Sequence, residues 1–217
     1  MDFASARHTM VASQVRTWDV FNPHVLDAME QLPREDFVPE LYKNLAYADA
    51  AIPLYGEQTM LAPKEQGRIL QALNIQPNER VLEICTGTGY LTALLAQFAH
   101  EVVSVDINAL MQAEAQHNLA KHQIENVKLI TADASLGFEQ HGMFDVIVIT
   151  GGLPKLPETY KHILNLNGRI FAILGRAPIM KALIINHPTI EVWQETVLYE
   201  TVVPMMEQSN HLKEFDF

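Results

Sequence analysis

Residues 80–97, RVLEICTGTGYLTALLAQ, join an apolar run to a glycine turn and then to a helical pattern. The run is rich in Val, Leu and Ile, which is typical of a buried strand. Gly87 and Gly89 allow the backbone of the turn to approach a ligand closely. The next apolar run ends about 20 residues further on in Asp106, whose carboxylate can accept hydrogen bonds from two ribose hydroxyls. The stretch therefore predicts a site for a nucleoside-containing cofactor.

The same alternation of strand and helix continues towards the C-terminus. Helical stretches at 89–99 and 108–122 separate apolar runs rich in Val and Ile: RVLEIC, EVVSVD, NVKLIT, FDVIVIT and GRIFAIL. Near-continuous apolar strands alternating with helices predict an α/β fold with a parallel sheet covered on both faces. In MKALIINHPTIEVWQETVLYETVV, two strand-like runs are joined by a short turn at 187–189. This pattern predicts a hairpin that makes the end of the sheet antiparallel.

Residues 5–50 predict short helices. ARHTMVASQVRTW and PHVLDAMEQL place apolar residues at three- and four-residue spacings. Pro23 suits the first turn of the second helix and Pro33 suits its end. Residues 51–62, AIPLYGEQTMLA, have no clean period and predict a loop, after which a helix is expected to begin at Pro63.

Length and composition limit the possible classes of protein. The 217 residues are 48% hydrophobic, enough for one sizeable core, so we predict a single domain over 1–217. Within it, 1–62 would form a helical cap and loop, and 63–217 a Rossmann-like core. Fifteen basic residues stand against 26 acidic ones, a formal net charge of −11. Because this charge repels a phosphate backbone, nucleic acid is not an expected partner.

Location and metal binding can be judged from the same sequence. The N-terminus has no continuous apolar segment, and no run approaches the ~18 apolar residues of a membrane span, so we expect no membrane partner and a cytoplasmic protein. One cysteine and scattered histidines provide no ligand pair, so no metal site is expected. The polar tail at 207–217 is expected to fray.

The glycine turn differs from a dinucleotide-binding turn. Thr92 stands where the third glycine of that fingerprint belongs. With Glu83 two residues before Cys85, the stretch reads E-x-C-x-G-x-G, which resembles the first motif of S-adenosylmethionine-dependent methyltransferases with Cys85 in place of the first glycine. A small residue is tolerated there if its φ is negative, so the thiol is expected to pack beneath the loop. No adjacent base supports a nucleophilic role for it.

Six segments together resemble one methyltransferase family. MVASQVR, VLDAMEQLPREDFVPE, AYADAAIPL, GEQTMLAP, VLEICTGTGYLTALLA and VVPMM occur in the order and with spacing similar to those of the protein-L-isoaspartate O-methyltransferase family. The resemblance covers nearly the whole chain. It implies a Rossmann-like methyltransferase domain with N-terminal helices capping the site, S-adenosylmethionine as cofactor, and an isoaspartyl-containing protein or peptide as partner.

The resemblance also implies site residues. The cofactor would contact Glu83, Cys85, Thr86, Gly87, Gly89, Tyr90, Asp106, Ile107, Asp133, Ala134 and Thr150. Asp133 is the residue retained from the family's G-D-G and is expected near the adenine amino group. The family's G-x-Q-T-I-S-x-P becomes GEQTMLAP over 56–63, so the catalytic positions of the acceptor-site loop would be Gln58, Thr59 and Leu61.

Leu61 occupies the place of the family's active-site serine and leaves two hypotheses. The first is an enzyme that methylates the carboxylate of isoaspartyl residues in damaged proteins. The second is a divergent cofactor-binding homologue with another acceptor or no activity. A carboxylate is already ionised at neutral pH, so the reaction needs no general base. Loss of one orienting hydroxyl would cost about 2–3 kcal/mol, roughly ~100-fold in rate, unless Thr59, Gln58 or backbone N–H groups replace it.

Overall fold

A computed structural model describes residues 2–209. The expected fraying of the tail therefore lies largely outside the described residues, and 207–209 form a turn. Within the described part, seven strands form one sheet in the order β5-β4-β3-β6-β7-β8-β9. Their bounds are β3 Arg80–Ile84, β4 Glu101–Asp106, β5 Val127–Thr131, β6 Phe144–Leu153, β7 Leu164–Arg176, β8 Ile179–Thr189 and β9 Val192–Thr201.

The pairing of the strands confirms the predicted fold class. The pairs β3–β4, β4–β5, β3–β6 and β6–β7 are parallel. The pairs β7–β8 and β8–β9 are antiparallel, so the last strands reverse direction as expected. The strand order steps outward in both directions from β3, which brings the carboxyl ends of β3, β4 and β6 together at one edge. Such an edge is where open α/β sheets bind ligands.

The predicted position of the last turn is wrong by a few residues. The turn was expected at 187–189, but β8 continues to Thr189, which pairs with Val192, and the chain reverses at 190–191. Pro188 falls within a register shift of the β8–β9 pair. A strand tolerates a residue without an N–H at such an irregularity, so the proline does not end the strand.

The helices agree with the predicted pattern. Both Pro23 and Pro63 stand at the first position of their helices, where a missing N–H costs nothing. A π-helical turn and three 3-10 turns extend the N-terminal helical region: Val11–Val15, Arg16–Trp18, Arg34–Asp36 and Glu40–Leu45. The α-helices are α1 Phe3–Met10, α2 Pro23–Gln31, α3 Pro63–Leu73, α4 Tyr90–Ala96, α5 Ala109–Lys121 and α6 Glu158–His162.

The segment 51–62, predicted as a loop, contains two very short strands. Strands β1, Ile52–Pro53, and β2, Thr59–Met60, pair antiparallel. The N–H of Leu54 donates to the carbonyl of Gln58 at 2.9 Å and closes the turn between the two strands. Gln58 and Thr59 are therefore held in a hairpin.

Apolar side chains pack on both faces of the sheet. In β6, Val146 and Val148 join the core under the N-terminal helices, α3 and α4, whereas Ile147 and Ile149 join the core on the opposite face beside α6. Successive side chains of a strand point to opposite faces, so a continuous apolar run requires cover on both. Apolar packing on both faces leaves the carboxyl edge of the sheet as the place for a site.

Candidate active site

The glycine turn follows β3 in a conformation that glycine favours. Cys85, Gly87 and Gly89 have φ angles of +74°, +54° and +89°. A Cβ on Gly89 would lie 3.1 Å from the Cβ of Ala115 in α5, so this glycine allows the turn and α5 to approach closely. The backbone of the turn is thus shaped by three residues in the left-handed region.

Cys85 does not meet the condition of a negative φ. The residue adopts a left-handed conformation, which glycine takes readily and which costs a non-glycine residue about 1–2 kcal/mol. Its N–H donates to the carbonyl of Val105 at 2.8 Å, and this contact with the neighbouring strand holds the conformation. Cys85 packs against the core beneath the sheet edge, as expected for a structural thiol. Loss of solvent and then the charge of Asp106 raise the pKa of Cys85 to about 12, so the thiol is protonated at neutral pH.

Glu83 lies beneath the turn. It is fully buried, and its Oε2 accepts hydrogen bonds from Ser104 Oγ at 2.6 Å and from Thr92 Oγ1 at 2.5 Å. Burial raises the pKa of Glu83 to about 7, although the two hydroxyls oppose this effect. Thr92, at the place of the dinucleotide fingerprint's third glycine, thus supports the turn from below. Glu83 and Gly89, both predicted to contact the cofactor, line neither of the two clefts described next, so they shape the glycine turn from behind.

A first cleft opens at the carboxyl edge of the sheet, with about 780 Å³ of space that is partly open to solvent. It brings together nine of the predicted site residues: Gln58, Thr59, Cys85, Gly87, Asp106, Ile107, Asp133, Ala134 and Thr150. Sequence reasoning missed other lining residues, among them Leu54, Tyr55, Asn108, Met111, Gly151, Met206 and Glu207. Several of these lie in segments whose sequence carries no ligand-binding signal.

Two carboxylates are fixed at the ends of neighbouring strands. Asp106 accepts from the N–H groups of Gly87 at 3.0 Å and Asn108 at 2.9 Å. Burial raises the pKa of Asp106, and these two N–H groups oppose the rise. Asp133 accepts from the N–H of Ser135 at 2.9 Å. Both carboxylates line the first cleft, where they can accept hydrogen bonds from ribose hydroxyls and from an amino group.

A second cleft of about 350 Å³ lies on the other side of the glycine turn. The predicted residues Leu61, Thr86 and Tyr90 line it, and Thr86 Oγ1 also bonds Ser104 and Gln112. The two clefts share the lining residues Leu54, Thr59, Cys85, Gly87 and Thr150. The two clefts therefore adjoin each other at these residues.

Arg34, which sequence reasoning did not single out, is buried behind the second cleft. Its Nε donates to the carbonyl of Ala46 at 2.9 Å, its Nη2 to the carbonyl of Leu61 at 2.8 Å, and its Nη1 to Gln66 Oε1. Its Cζ lies 5.0 Å from the centroid of the Tyr90 ring. Burial lowers the pKa of Arg34 to about 10, which leaves it charged at neutral pH. The available signal was its place in LPREDFVPE, one of the segments that resemble the family.

The fold and these clefts define an S-adenosylmethionine-dependent methyltransferase. The residues fit the cofactor: Gly87 gives the left-handed turn, where a Cβ would lie 3.3 Å from Leu54 Cδ1, and Asp106 offers an anchored carboxylate. The family model described as "Protein-L-isoaspartate(D-aspartate) O-methyltransferase (PCMT)" matches residues 6–208. The chain belongs to this family.

Relatives with curated names agree with this assignment. "Protein-L-isoaspartate O-methyltransferase 1" of Rhodopseudomonas palustris strain HaA2 is 39% identical over 80% of this chain and 71% of its own length. "Protein-L-isoaspartate O-methyltransferase" of Koribacter versatilis is 36% identical over 83% of this chain and 81% of its own length.

Two solved structures share the fold. A protein-L-isoaspartate O-methyltransferase matches with a TM-score of 0.81 and 24% identity over 94% of this chain, which spans 66% of that protein. A Plasmodium falciparum protein, described as a putative protein-L-isoaspartate O-methyltransferase in complex with S-adenosyl-L-homocysteine, matches with a TM-score of 0.80 and 18% identity over 93% of this chain and 98% of its own.

Residues 2–209 provide neither a membrane-spanning helix nor a cluster of potential metal ligands. None of the helices there has the length and apolar character needed to cross a membrane. In the same range, no three or more His, Cys, Asp or Glu side chains are grouped so that they could hold a metal ion.

Replacing Asp106 with alanine is expected to weaken binding of S-adenosylhomocysteine by about 10- to 100-fold, because hydrogen bonds to a carboxylate are each worth about 1.5–3 kcal/mol. Calorimetric titration measures the effect. Asp106→Asn serves as the comparison, since it keeps one acceptor oxygen and should lose less. If Asp106→Ala bound S-adenosylhomocysteine as tightly as the wild type, Asp106 would not be a cofactor-binding residue.

Proposed function

We propose that this chain transfers a methyl group from S-adenosylmethionine to the free carboxylate of isoaspartyl residues in damaged proteins. The observation that carries the proposal is the meeting of two clefts at the glycine turn of a chain that belongs to the protein-L-isoaspartate O-methyltransferase family. The first cleft would hold the cofactor. The second, lined by the acceptor-site loop, would hold the carboxylate that receives the methyl group.

The reaction does not require general acid or base catalysis by the protein. When bound, S-adenosylmethionine supplies an electrophilic methyl group on a positively charged sulfur. The acceptor carboxylate is ionised at neutral pH, so no side chain has to remove a proton. The chain's contribution is to align the carboxylate and to exclude water from it, and alignment of reacting groups alone can lower a barrier by several kcal/mol.

The second cleft is suited to a small anionic group. Leu61 and Met60 form an apolar wall, each buried, which limits access of water. Behind that wall the charged guanidinium of Arg34 donates to the Leu61 carbonyl and lies against Tyr90. A buried positive charge favours an anion nearby because the interior screens it weakly. Assignment of Gln58, Thr59 and Leu61 to catalysis remains a prediction.

A methyl-transfer assay with labelled S-adenosylmethionine tests the proposal. We expect label on a peptide that contains L-isoaspartate and none on the same peptide with normal aspartate, with release of the label by alkali as expected for an ester. The alternative of a divergent homologue gains no support over the family reaction from the relatives, which carry the family's name at 34–39% identity. Binding of cofactor without transfer to the isoaspartyl peptide would nevertheless favour it.

Replacing Leu61 with serine is expected to raise kcat/KM for the isoaspartyl peptide by up to ~100-fold. The restored hydroxyl can donate a hydrogen bond that orients the carboxylate, and one such donor is worth about 2–3 kcal/mol. Leu61→Ala is the matched control, because it removes the same apolar bulk without adding a donor. Equal rates in the two variants would show that the hydroxyl is not what the second cleft lacks.

The same proposal includes the partner and the location. The substrate would be an altered protein or peptide, which must present its isoaspartyl side chain to the second cleft. A cytoplasmic location is proposed from the sequence, and cell fractionation with an antibody against the chain tests it.

A further inference from the structure

The first cleft carries negative charge and no positive charge among the described residues. Three carboxylates line it, those of Asp106, Asp133 and Glu207, and no Lys, Arg or His of residues 2–209 does. S-adenosylmethionine has two positive groups, the sulfonium and the α-ammonium, against one carboxylate. The lining is therefore complementary in charge to the cofactor.

Glu207 belongs to a well-anchored segment although its side chain is exposed. The N–H of Met206 donates to the carbonyl of Gly152 at 2.9 Å, which ties the segment to the end of β6. The buried Ser209 donates from its N–H at 3.1 Å and from its Oγ at 2.7 Å to the carbonyl of Met206. These bonds hold the backbone on both sides of Glu207.

Glu207 lines the first cleft together with Cys85 and Asp106. Loss of solvent is the main cause of the raised pKa values of Cys85 and Asp106, and the negative charge of Glu207 raises both further. Cys85 is one of the residues that line both clefts. The carboxylate of Glu207 therefore shares the first cleft with a residue of the junction.

The three lining carboxylates lie on different segments. Asp106 ends β4 and Asp133 follows β5, and both line the first cleft, where the resemblance assigns them to ribose and adenine. Glu83, the acidic residue of the first motif, is buried beneath the turn and does not line the cleft. Transfer to the second cleft requires the cofactor's sulfur, and the amino-acid end attached to it, to lie near the junction. Glu207 is the lining carboxylate left for that end.

We propose that the carboxylate of Glu207 binds the α-ammonium group of S-adenosylmethionine and positions the amino-acid end of the cofactor. This inference rests on the cofactor cleft of the proposed function and adds to it a residue from the C-terminal segment. S-adenosylhomocysteine keeps the ammonium group and would make the same contact.

Calorimetric titration of Glu207→Gln tests the inference without turnover. The dissociation constant of S-adenosylhomocysteine should rise by about 3- to 10-fold, since the lost contact is a charge-assisted hydrogen bond at a partly exposed site. The dissociation constant of 5′-methylthioadenosine, which lacks the amino-acid end, should not change. Raising the salt concentration should reduce the difference between wild type and variant.

Glu57→Gln is the matched control. Glu57 is also exposed and lines a neighbouring groove together with Glu207, but it does not line the first cleft, so its variant should bind both ligands as the wild type does. The inference is overturned if Glu207→Gln leaves S-adenosylhomocysteine binding unchanged, weakens both ligands equally, or matches Glu57→Gln. Lack of methyl transfer to isoaspartyl peptides would contradict the proposed acceptor and leave these binding results standing.

Discussion

Replacing Arg34 with methionine is expected to lower the free energy of unfolding by about 3–5 kcal/mol. The variant leaves three buried acceptors without their donor, namely the carbonyls of Ala46 and Leu61 and the side-chain oxygen of Gln66. Each unpaired buried acceptor costs about 1–3 kcal/mol, and relief from burying a cation offsets part of the sum. Urea unfolding at neutral pH measures the difference.

Two other variants make the Arg34 experiment specific. Arg16→Met removes an exposed arginine and should change stability by no more than about 0.5 kcal/mol. Arg34→Lys keeps the charge, but all its donors are on one nitrogen and cannot reach all three acceptors. Its free energy of unfolding should therefore lie between those of the wild type and Arg34→Met. An Arg34→Met protein as stable as the wild type would show that the buried cation costs as much as its hydrogen bonds contribute.

Arg34 should also affect the acceptor rather than the cofactor. Its guanidinium holds the Leu61 carbonyl at the wall of the second cleft and has no place in the lining of the first. At temperatures where Arg34→Lys remains folded, we expect a higher KM for the isoaspartyl peptide and an unchanged affinity for S-adenosylhomocysteine. Weaker cofactor binding would instead indicate a general loss of structure.

Replacing Glu83 with glutamine is expected to remove a pH dependence of stability. The pKa of Glu83 is about 7 in the folded protein against an ordinary value of 4.5, and burial is the main cause. Between these values the unfolded chain releases a proton that the folded protein keeps. Stability is therefore highest below the unfolded pKa, falls as the pH rises to about 7, and is level above it.

The expected size of the effect follows from the two pKa values. The difference between the two pKa values of Glu83 corresponds to about 3 kcal/mol in the free energy of unfolding. The wild type should lose this amount as the pH rises from the lower pKa to the higher one, and Glu83→Gln should not. Urea unfolding of both proteins at about pH 4 and about pH 8 measures it, and comparing the two changes cancels the response of the other charges. Glu191→Gln, at an exposed glutamate in the β8–β9 turn, should follow the wild type. If the free energy of unfolding changed with pH equally in the wild type and in Glu83→Gln, a raised pKa of Glu83 in the folded protein would be contradicted.

Local patterns in the sequence were sufficient for the class of fold, and they indicated where a cofactor would bind. The alternation of apolar strands with helices, the glycine turn and the acidic residue at the end of β4 predicted the parallel sheet and the position of the first cleft. These features can be recognised in the sequence because a strand buried on both faces is a continuous apolar run. A backbone that closely approaches a ligand favours glycine. Resemblance to the family added the acceptor-site loop and Leu61.

The tertiary structure decided what depends on contacts between distant segments. The left-handed φ of Cys85, the extension of β8 through Pro188, and the absence of Glu83 from the cleft follow from strand register and packing, which periodicity does not encode. Arg34 bonds the carbonyl of Leu61, which lies 27 residues further along the chain. Glu207, in the C-terminal segment, lines the first cleft. The sequence by itself determined which segments form the sheet and its cofactor turn. Which side chains meet around the two clefts was decided only by the folded chain, because those contacts depend on how the acceptor-site loop and the C-terminal segment pack over the edge of the sheet.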